Sequence, residues 1–263
     1  MLSGRDVLNK EMKLLKSIVK RVLAYDSRPG VRRAVDKWRH FGFTRYCPCC
    51  KAHLRRFSPC GLIPRLEAKC PLCGSLERHR LICLYVTRKT NLFDARRKKM
   101  LHVAPEPQLS HLFRKANSVD YLSADLFAPN AMVKMDITDI QYPDNTFDVI
   151  YCSHVLEHVS EDRRAMREFC RVLKPRGWAI LQVPIQGNTT FEDPTVVNPQ
   201  ERQRLFGQYD HVRQYGLDYK ERLVNAGFSV KVDDFVRELN DHTICRLGLM
   251  RKEDVYFCRK EAV

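Results

Sequence analysis

The chain has 263 residues, 44% of them hydrophobic, and a formal net charge of +15. That length suits one large domain, or a medium domain with a small module, and the apolar content supports a real core. No apolar run approaches the roughly 18 residues of a membrane-spanning helix. The opening stretch MLSGRDVLNKEMKLLK lacks the apolar core of a signal peptide, so the expectation is a soluble, cytoplasmic protein.

The charge is unevenly spread. Residues 1–99 hold 25 Lys and Arg against 7 Asp and Glu, a net +18, while residues 100–263 hold 21 against 24, a net −3. Such asymmetry points to an anionic partner for the first third, or to a basic, soluble surface with none. Residues 1–40 read as a basic helical extension. Leu8, Met12, Leu15, Val19 and Val22 form one apolar stripe at helical spacing, and Ser27-Arg28-Pro29-Gly30 should interrupt it.

Residues 41–90 form a module of their own, with a helical pattern at its end through Leu76, Leu81, Leu84 and Tyr85. Seven of the eleven cysteines fall between Cys47 and Cys83. An odd count without a secretory signal argues against a disulfide framework. Cys47-Pro48-Cys49-Cys50 and Cys70-Pro71-Leu72-Cys73 are two knuckles separated by 19 residues. A two-residue gap lets both thiolates of a knuckle face one ion, so the pair predicts a zinc ribbon. The expected ligands are Cys47, Cys50, Cys70 and Cys73, with Cys49 or Cys60 as substitutes. A four-thiolate site is closed, so its zinc should be structural and its compartment reducing. Lys51, His53, Arg55, Arg56, Arg65, Lys69, Arg78, His79 and Arg80 surround the knuckles as phosphate contacts or as a docking surface.

Residues 91–99 read as a basic linker, and the main domain spans 100–263. Its predicted strands are 100–104, 119–124, 131–135, 147–152, 178–183, 228–232 and 255–258. Helices are predicted over 107–116, 160–173 and 217–226, with a helical turn at 154–159. Ser160 is the expected N-cap of the second helix and Gly177 follows its end. Strands alternating with helices predict an α/β, doubly wound, Rossmann-like and mostly parallel seven-stranded sheet. Ligands of such sheets bind at the carboxyl ends of the strands.

Three segments then carry a resemblance. Pro143-Asp144-Asn145-Thr146-Phe147-Asp148, Ser153-His154-Val155-Leu156-Glu157-His158-Val159 and Leu173-Lys174-Pro175-Arg176-Gly177 stand in an order similar to the class I S-adenosylmethionine-dependent methyltransferases of type 11. The resemblance implies S-adenosylmethionine as cofactor. It places Asp125 on the ribose hydroxyls, Asp136 and the Ile137 N–H on the adenine, and Ser153 and His154 at the methyl end. The first turn departs from the family: Ala104-Pro105-Glu106-Pro107 stands where glycines are usual, and His102 replaces an acid. Glu106 is then expected on the cofactor's ammonium group.

His154 and His211 are the candidate catalytic bases, with His158 beside them. Tyr209, His211, Arg213 and Tyr215 are the candidate substrate contacts. The acceptor is left open as polar or anionic, with RNA and a sugar or other glycan as the leading classes. A non-catalytic, nucleic-acid-binding protein with a degenerate methyltransferase fold is the alternative. His154-Val155-Leu156-Glu157-His158 also spells H-x-x-E-H, a zinc-protease pattern. That reading needs a longer helix and leaves the strand-end acids unexplained.

Overall fold

The computed structural model describes residues 29–61 and 63–261. The apolar stripe from Leu8 to Val22 lies outside them. Helix α1 spans Pro29–His40 of the described residues and includes the Pro29-Gly30 pair expected to break the pattern. Two hairpins follow, β1 (Arg45–Cys47) with β2 (Ala52–Leu54) and β3 (Ser58–Cys60) with β4 (Arg65–Lys69). Helix α2 (Glu77–Arg88) closes this region.

A seven-stranded sheet forms the rest of the frame. Its strands are β5 (Lys98–Val103), β6 (Val119–Asp125), β7 (Val133–Lys134), β8 (Phe147–Ser153), β9 (Leu173–Gln182), β12 (Ser229–Asp233) and β13 (Val255–Arg259), in the order β12-β13-β9-β8-β5-β6-β7. Six strands run in one direction, and only β13 is reversed, antiparallel to both β9 and β12. This is the doubly wound sheet expected from the sequence. The first residues of β13 therefore lie at the same edge as the last residues of β8 and β9.

Side chains alternate strictly across this sheet. Met100, Val149, Tyr151, Trp178, Ile180 and Phe257 face one core, while Leu101, Val103, Ile150, Cys152, Ala179 and Leu181 face the other. The period of two buries every second residue on each side. The first core also takes in Leu81, Leu84 and Tyr85 of α2, with Phe57 and the buried knuckle thiols Cys47, Cys49 and Cys70. The second takes in Met166 and Phe169 of α4 (Asp162–Val172) and Leu223 of α6 (Tyr219–Asn225). Helix α3 (Pro107–Arg114) follows β5, and its Leu109 and Phe113 join the first core.

Several local expectations are corrected. Lys98 and Lys99 belong to β5 rather than to a linker: Lys98 is buried against Asp94, and the Lys99 N–H donates to Asp148. Ser160 caps nothing; Glu161 holds the N-cap position of α4, and the Ser160 carbonyl accepts from Arg213. Gly177 lies inside β9, where an added Cβ would stand 2.8 Å from the Lys174 carbonyl oxygen and 3.0 Å from that of Asp148. Unrecognised in the sequence were α5 (Pro199–Phe206), the short pair β10 (Phe191–Glu192) and β11 (Arg213–Gln214), and α7 (Asp241–Leu247). Among the described residues no helix is long and apolar enough to cross a membrane.

Candidate functional site

Four cysteine sulfurs converge at the knuckles. Cys47, Cys50, Cys70 and Cys73 bring their sulfurs within 4.8 Å of one another. The Cys47–Cys73 and Cys50–Cys70 separations are 3.6 and 3.8 Å. All eleven cysteines are free thiols. Tetrahedral zinc with bonds of about 2.3 Å sets its sulfurs about 3.8 Å apart, so the donor set fits that ion. Each knuckle turns through a left-handed residue after Cys50 or Cys73, Lys51 at φ 57° and Gly74 at φ 74°. Cys49 and Cys60 stand outside the group; Cys49 lies against the His79 carbonyl instead.

The basic residues nearby divide into two sets. Lys51, Arg55, Arg56 and Lys69 are exposed. Arg80, expected among the phosphate contacts, is fully buried. Its guanidinium donates to the carbonyls of Ala68, Ser75, Leu247 and Gly248 at 2.6–2.9 Å and lies over the Phe57 ring. Its charge is thereby spent inside the fold, joining the knuckles to α7.

Helix α2 also reaches the first turn of the sheet. Leu76 donates its N–H to His79 Nδ1, which leaves the proton on Nε2, and Nε2 donates to Glu106 Oε1 at 2.9 Å. The Tyr151 hydroxyl donates to Glu106 Oε2 at 3.2 Å, and Arg78 stands 3.8 Å away. Burial raises the Glu106 pKa, but His79, Arg78 and His102 outweigh it and hold the carboxyl below its usual range. Glu106 is thus a fixed anion with one oxygen direction left over.

Ala104 takes φ 48°, the left-handed conformation that glycine adopts freely. The turn keeps the shape of a glycine turn without the glycine. Beneath it His102 is buried among Phe113, Tyr121 and Tyr151, with Nδ1 2.9 Å from the Tyr121 hydroxyl. Burial pushes its pKa down to about 4. A neutral imidazole in an aromatic cage therefore occupies the place of the family's acid.

The two strand-end aspartates close their own turns. Asp125 Oδ1 accepts from the N–H groups of Phe127 and Ala128, both at 2.7 Å. Asp136 Oδ1 accepts from the Thr138 N–H and hydroxyl, both at 2.8 Å. These bonds aim each carboxylate while the second oxygen remains for another donor. Ile137 is buried after β7, and Ser153 is buried at the end of β8.

His154 follows at φ 55°, a strained conformation for a side chain of this size. Its Nδ1 lies 3.3 Å from Glu157 Oε1, so its Nε2 is left for the cleft. Two clefts meet at this residue. One, of about 460 Å³, lies between His154, Arg78, Pro184, Lys252, Glu253 and Tyr256. The other, of about 410 Å³, lies between His154, Arg78, Glu157, His158, Gln208 and His211. Arg78, expected among the basic residues around the knuckles, instead lines both clefts, and Glu253, not singled out in the sequence, enters because β13 is antiparallel and begins at this edge. Burial raises the Glu253 pKa, partly offset by His154 and Arg78.

The candidate substrate residues do not act as a set. Tyr209 is exposed, and His211 is buried in the wall of the second cleft. Arg213 is corrected: its guanidinium binds the carbonyls of Leu156, Val159 and Ser160 and the carboxylate of Glu192. Four of its five donors are used and its Nη2 also stands 3.6 Å from Asp162, so the charge is already paired inside the fold. Tyr215 is corrected likewise, being wholly buried with its hydroxyl on Asp162 at 2.6 Å.

Residues 88–181, which include β5 through most of β9, match the family model described as "Methyltransferase domain". These residues thus carry a methyltransferase domain. The chain is 32% identical over 97 residues to a phosphoethanolamine N-methyltransferase of Triticum aestivum, covering 35% of this chain and 17% of that protein. It is 33% identical over 90 residues to the uncharacterized methyltransferase YcgJ of Bacillus subtilis, covering 33% of each. The match thus spans a third or less of the length of these curated relatives. The solved structure of YcgJ superposes with a TM-score of 0.42 at 17% identity, over 65% of this chain and 95% of that one. A SAM dependent methyltransferase from Archaeoglobus fulgidus superposes with a TM-score of 0.45 at 14% identity, over 69% and 94%.

Proposed function

We propose that the chain transfers a methyl group from S-adenosylmethionine to a polar or anionic acceptor, with a structural zinc at Cys47, Cys50, Cys70 and Cys73. One observation carries this reading. Ala104, Glu106, Asp125, Asp136 and His154 share the carboxyl edge of the parallel strands, and His154 lines both clefts beside it. The donor set fits the cofactor: two aimed carboxylates for hydroxyl and amino donors, and a held anion for an ammonium group.

When bound, the sulfonium supplies a methyl already activated for in-line transfer, so the protein's part is positioning. Asp125 holds the ribose hydroxyls, and Asp136 with the Ile137 N–H holds the adenine. Glu106, fixed by His79 and Tyr151, holds the ammonium group. Ser153 and His154 border the methyl end. His154 takes the acceptor's proton on Nε2 while Glu157 steadies Nδ1. His211 stands behind His158, so it is the lesser candidate for this role.

Scanning fluorimetry with S-adenosylmethionine tests the reading first, and no stabilisation would overturn it. Glu106→Ala should then raise the dissociation constant in calorimetry at least tenfold. Methyl-label assays on total RNA and on a glycan extract separate the acceptor classes. RNA requires an affinity that falls as salt rises, because phosphate contacts release counterions.

A further inference from the structure

The wall of the second cleft holds three metal-ligating side chains apart from the cysteine cluster. Glu157, His158 and His211 each bring a ligand atom within 4.8 Å of the other two. They come from the turn after β8 and from the segment between α5 and β11, 53 residues further along the chain.

Each imidazole is already oriented. His211 Nδ1 lies 3.1 Å from the Phe206 carbonyl oxygen, which can only accept, so Nδ1 carries the proton and Nε2 offers its lone pair. His158 Nδ1 lies 3.2 Å from Asp210 Oδ2, which fixes the same tautomer. Metal-binding histidines use this arrangement, with the far nitrogen held by a carbonyl or carboxylate. The rings meet edge to face with centroids 4.7 Å apart.

Glu157 supplies a second, independent observation. Its side chain is 1% exposed, and its Oε2 is buried with no hydrogen-bond partner in the protein. A buried carboxylate oxygen without a donor is costly unless a cation or another donor satisfies it. Oε1 faces His154, so Oε2 is the atom available to an ion.

We propose that Glu157, His158 and His211 form a second metal site, a three-ligand centre for a divalent transition-metal ion with an open position facing the cleft. Two imidazoles and one carboxylate select zinc or a neighbouring first-row ion over magnesium or calcium, which prefer all-oxygen shells. The open position takes an oxygen ligand, a hydroxyl or carboxylate of the acceptor, within reach of His154. That role rests on the methyl-transfer reading; the site itself does not. It also differs from the H-x-x-E-H arrangement. There both histidines of the motif are ligands, whereas here His154 lies outside the group and the second imidazole is His211.

Metal content of the full chain tests the site. After equilibration with excess zinc and removal of loose ions, the protein should hold two equivalents. His158→Ala and His211→Ala should each hold one, retained by the thiolates. His158 lies at the cleft mouth, so its variant decides the matter if the His211 variant unfolds. Cobalt substitution should show thiolate charge-transfer bands from one ion and weak visible bands without charge transfer from the other. Asp210→Asn should lower the affinity of the second ion by about 10- to 100-fold while the stoichiometry at saturation stays at two. A single equivalent in the unaltered chain overturns the proposal, as do two equivalents that persist in both histidine variants. Stabilisation by S-adenosylmethionine is read separately, so loss of one claim leaves the other standing.

Discussion

At the knuckles four thiols point inward to one place, and Ser75 Oγ lies beside two of them, 3.1 Å from Cys47 and 3.3 Å from Cys73. At the carboxyl edge the polar groups point the other way. Asp125 and Asp136 each commit one oxygen to their own turn and present the other outward. A cluster whose thiols meet one another suits the resident ion proposed for it. An edge whose groups are braced from behind receives a group that comes and goes. The two regions are nonetheless coupled, because α2 joins the knuckles to Glu106 through His79 and to α7 through Arg80.

The sharpest way to break this contrast is to remove the ion proposed for the knuckles. Structural zinc contributes on the order of 10 kcal/mol in small modules, so a strong chelator should unfold residues 45–75. Loss of α2 packing should then abolish binding of S-adenosylmethionine as well, read by calorimetry on the chelated protein. If cofactor affinity survives chelation, the coupling does not exist.

Arg80→Met tests the coupling with the metal in place. Four carbonyls lose their donor, at a cost of about 3–5 kcal/mol, which should appear as a lower midpoint in urea unfolding. The change should lower stability with the zinc content unaltered.

Acid sets the edge apart from the knuckles through His102. Its folded pKa of about 4 lies below the unfolded value near 6.5. The unfolded chain therefore binds the proton first. The stabilisation is complete above pH 6.5 and is lost as pH falls towards 4, by about 3 kcal/mol. His102→Phe, which keeps an aromatic ring in the cage, should flatten unfolding free energy against pH over that interval. An unchanged slope would assign the acid sensitivity elsewhere.

Asp125→Asn compares a turn-closing role with a ligand-binding one. The amide oxygen keeps both N–H contacts, so stability should shift by less than about 0.5 kcal/mol. Affinity for S-adenosylmethionine should nevertheless fall about tenfold, equivalent to about 1.4 kcal/mol. The smallest effect is expected for Ala104→Gly. Relief of the left-handed strain slightly exceeds the added chain entropy, giving a gain of about 0.5 kcal/mol in thermal unfolding.

The strands at 119–124 and 147–152 were legible because apolar β-formers recur there between turn signals, and burial on both faces leaves little else for them to be. The convergence of the four knuckle thiols was legible because spacing alone brings two thiols of each knuckle together. Arg213 and Tyr215 were misread for the opposite reason. A loop sequence of polar and aromatic residues does not reveal that β11 pairs with β10 and turns those side chains inward. Glu253 was invisible, and Arg78 was legible only as a basic residue near the knuckles, because each reaches the cleft through tertiary placement, one by an antiparallel strand and the other by α2. The Ala-Pro-Glu-Pro turn hid its meaning in backbone shape, since φ 48° at Ala104 has no mark in the letters.

Arg80 also bears on how the chain is made. Its partners at Leu247 and Gly248 lie 167 and 168 residues further on. During synthesis at roughly 5–20 residues per second, the arginine waits about 8–35 seconds before those carbonyls exist. Over that interval the knuckle region has a hole where α7 will dock, with a charged group and the Phe57 ring at its rim. The nascent first third should therefore be the stage most open to chaperone capture and to thiol oxidation, and the arrival of α7 should end both.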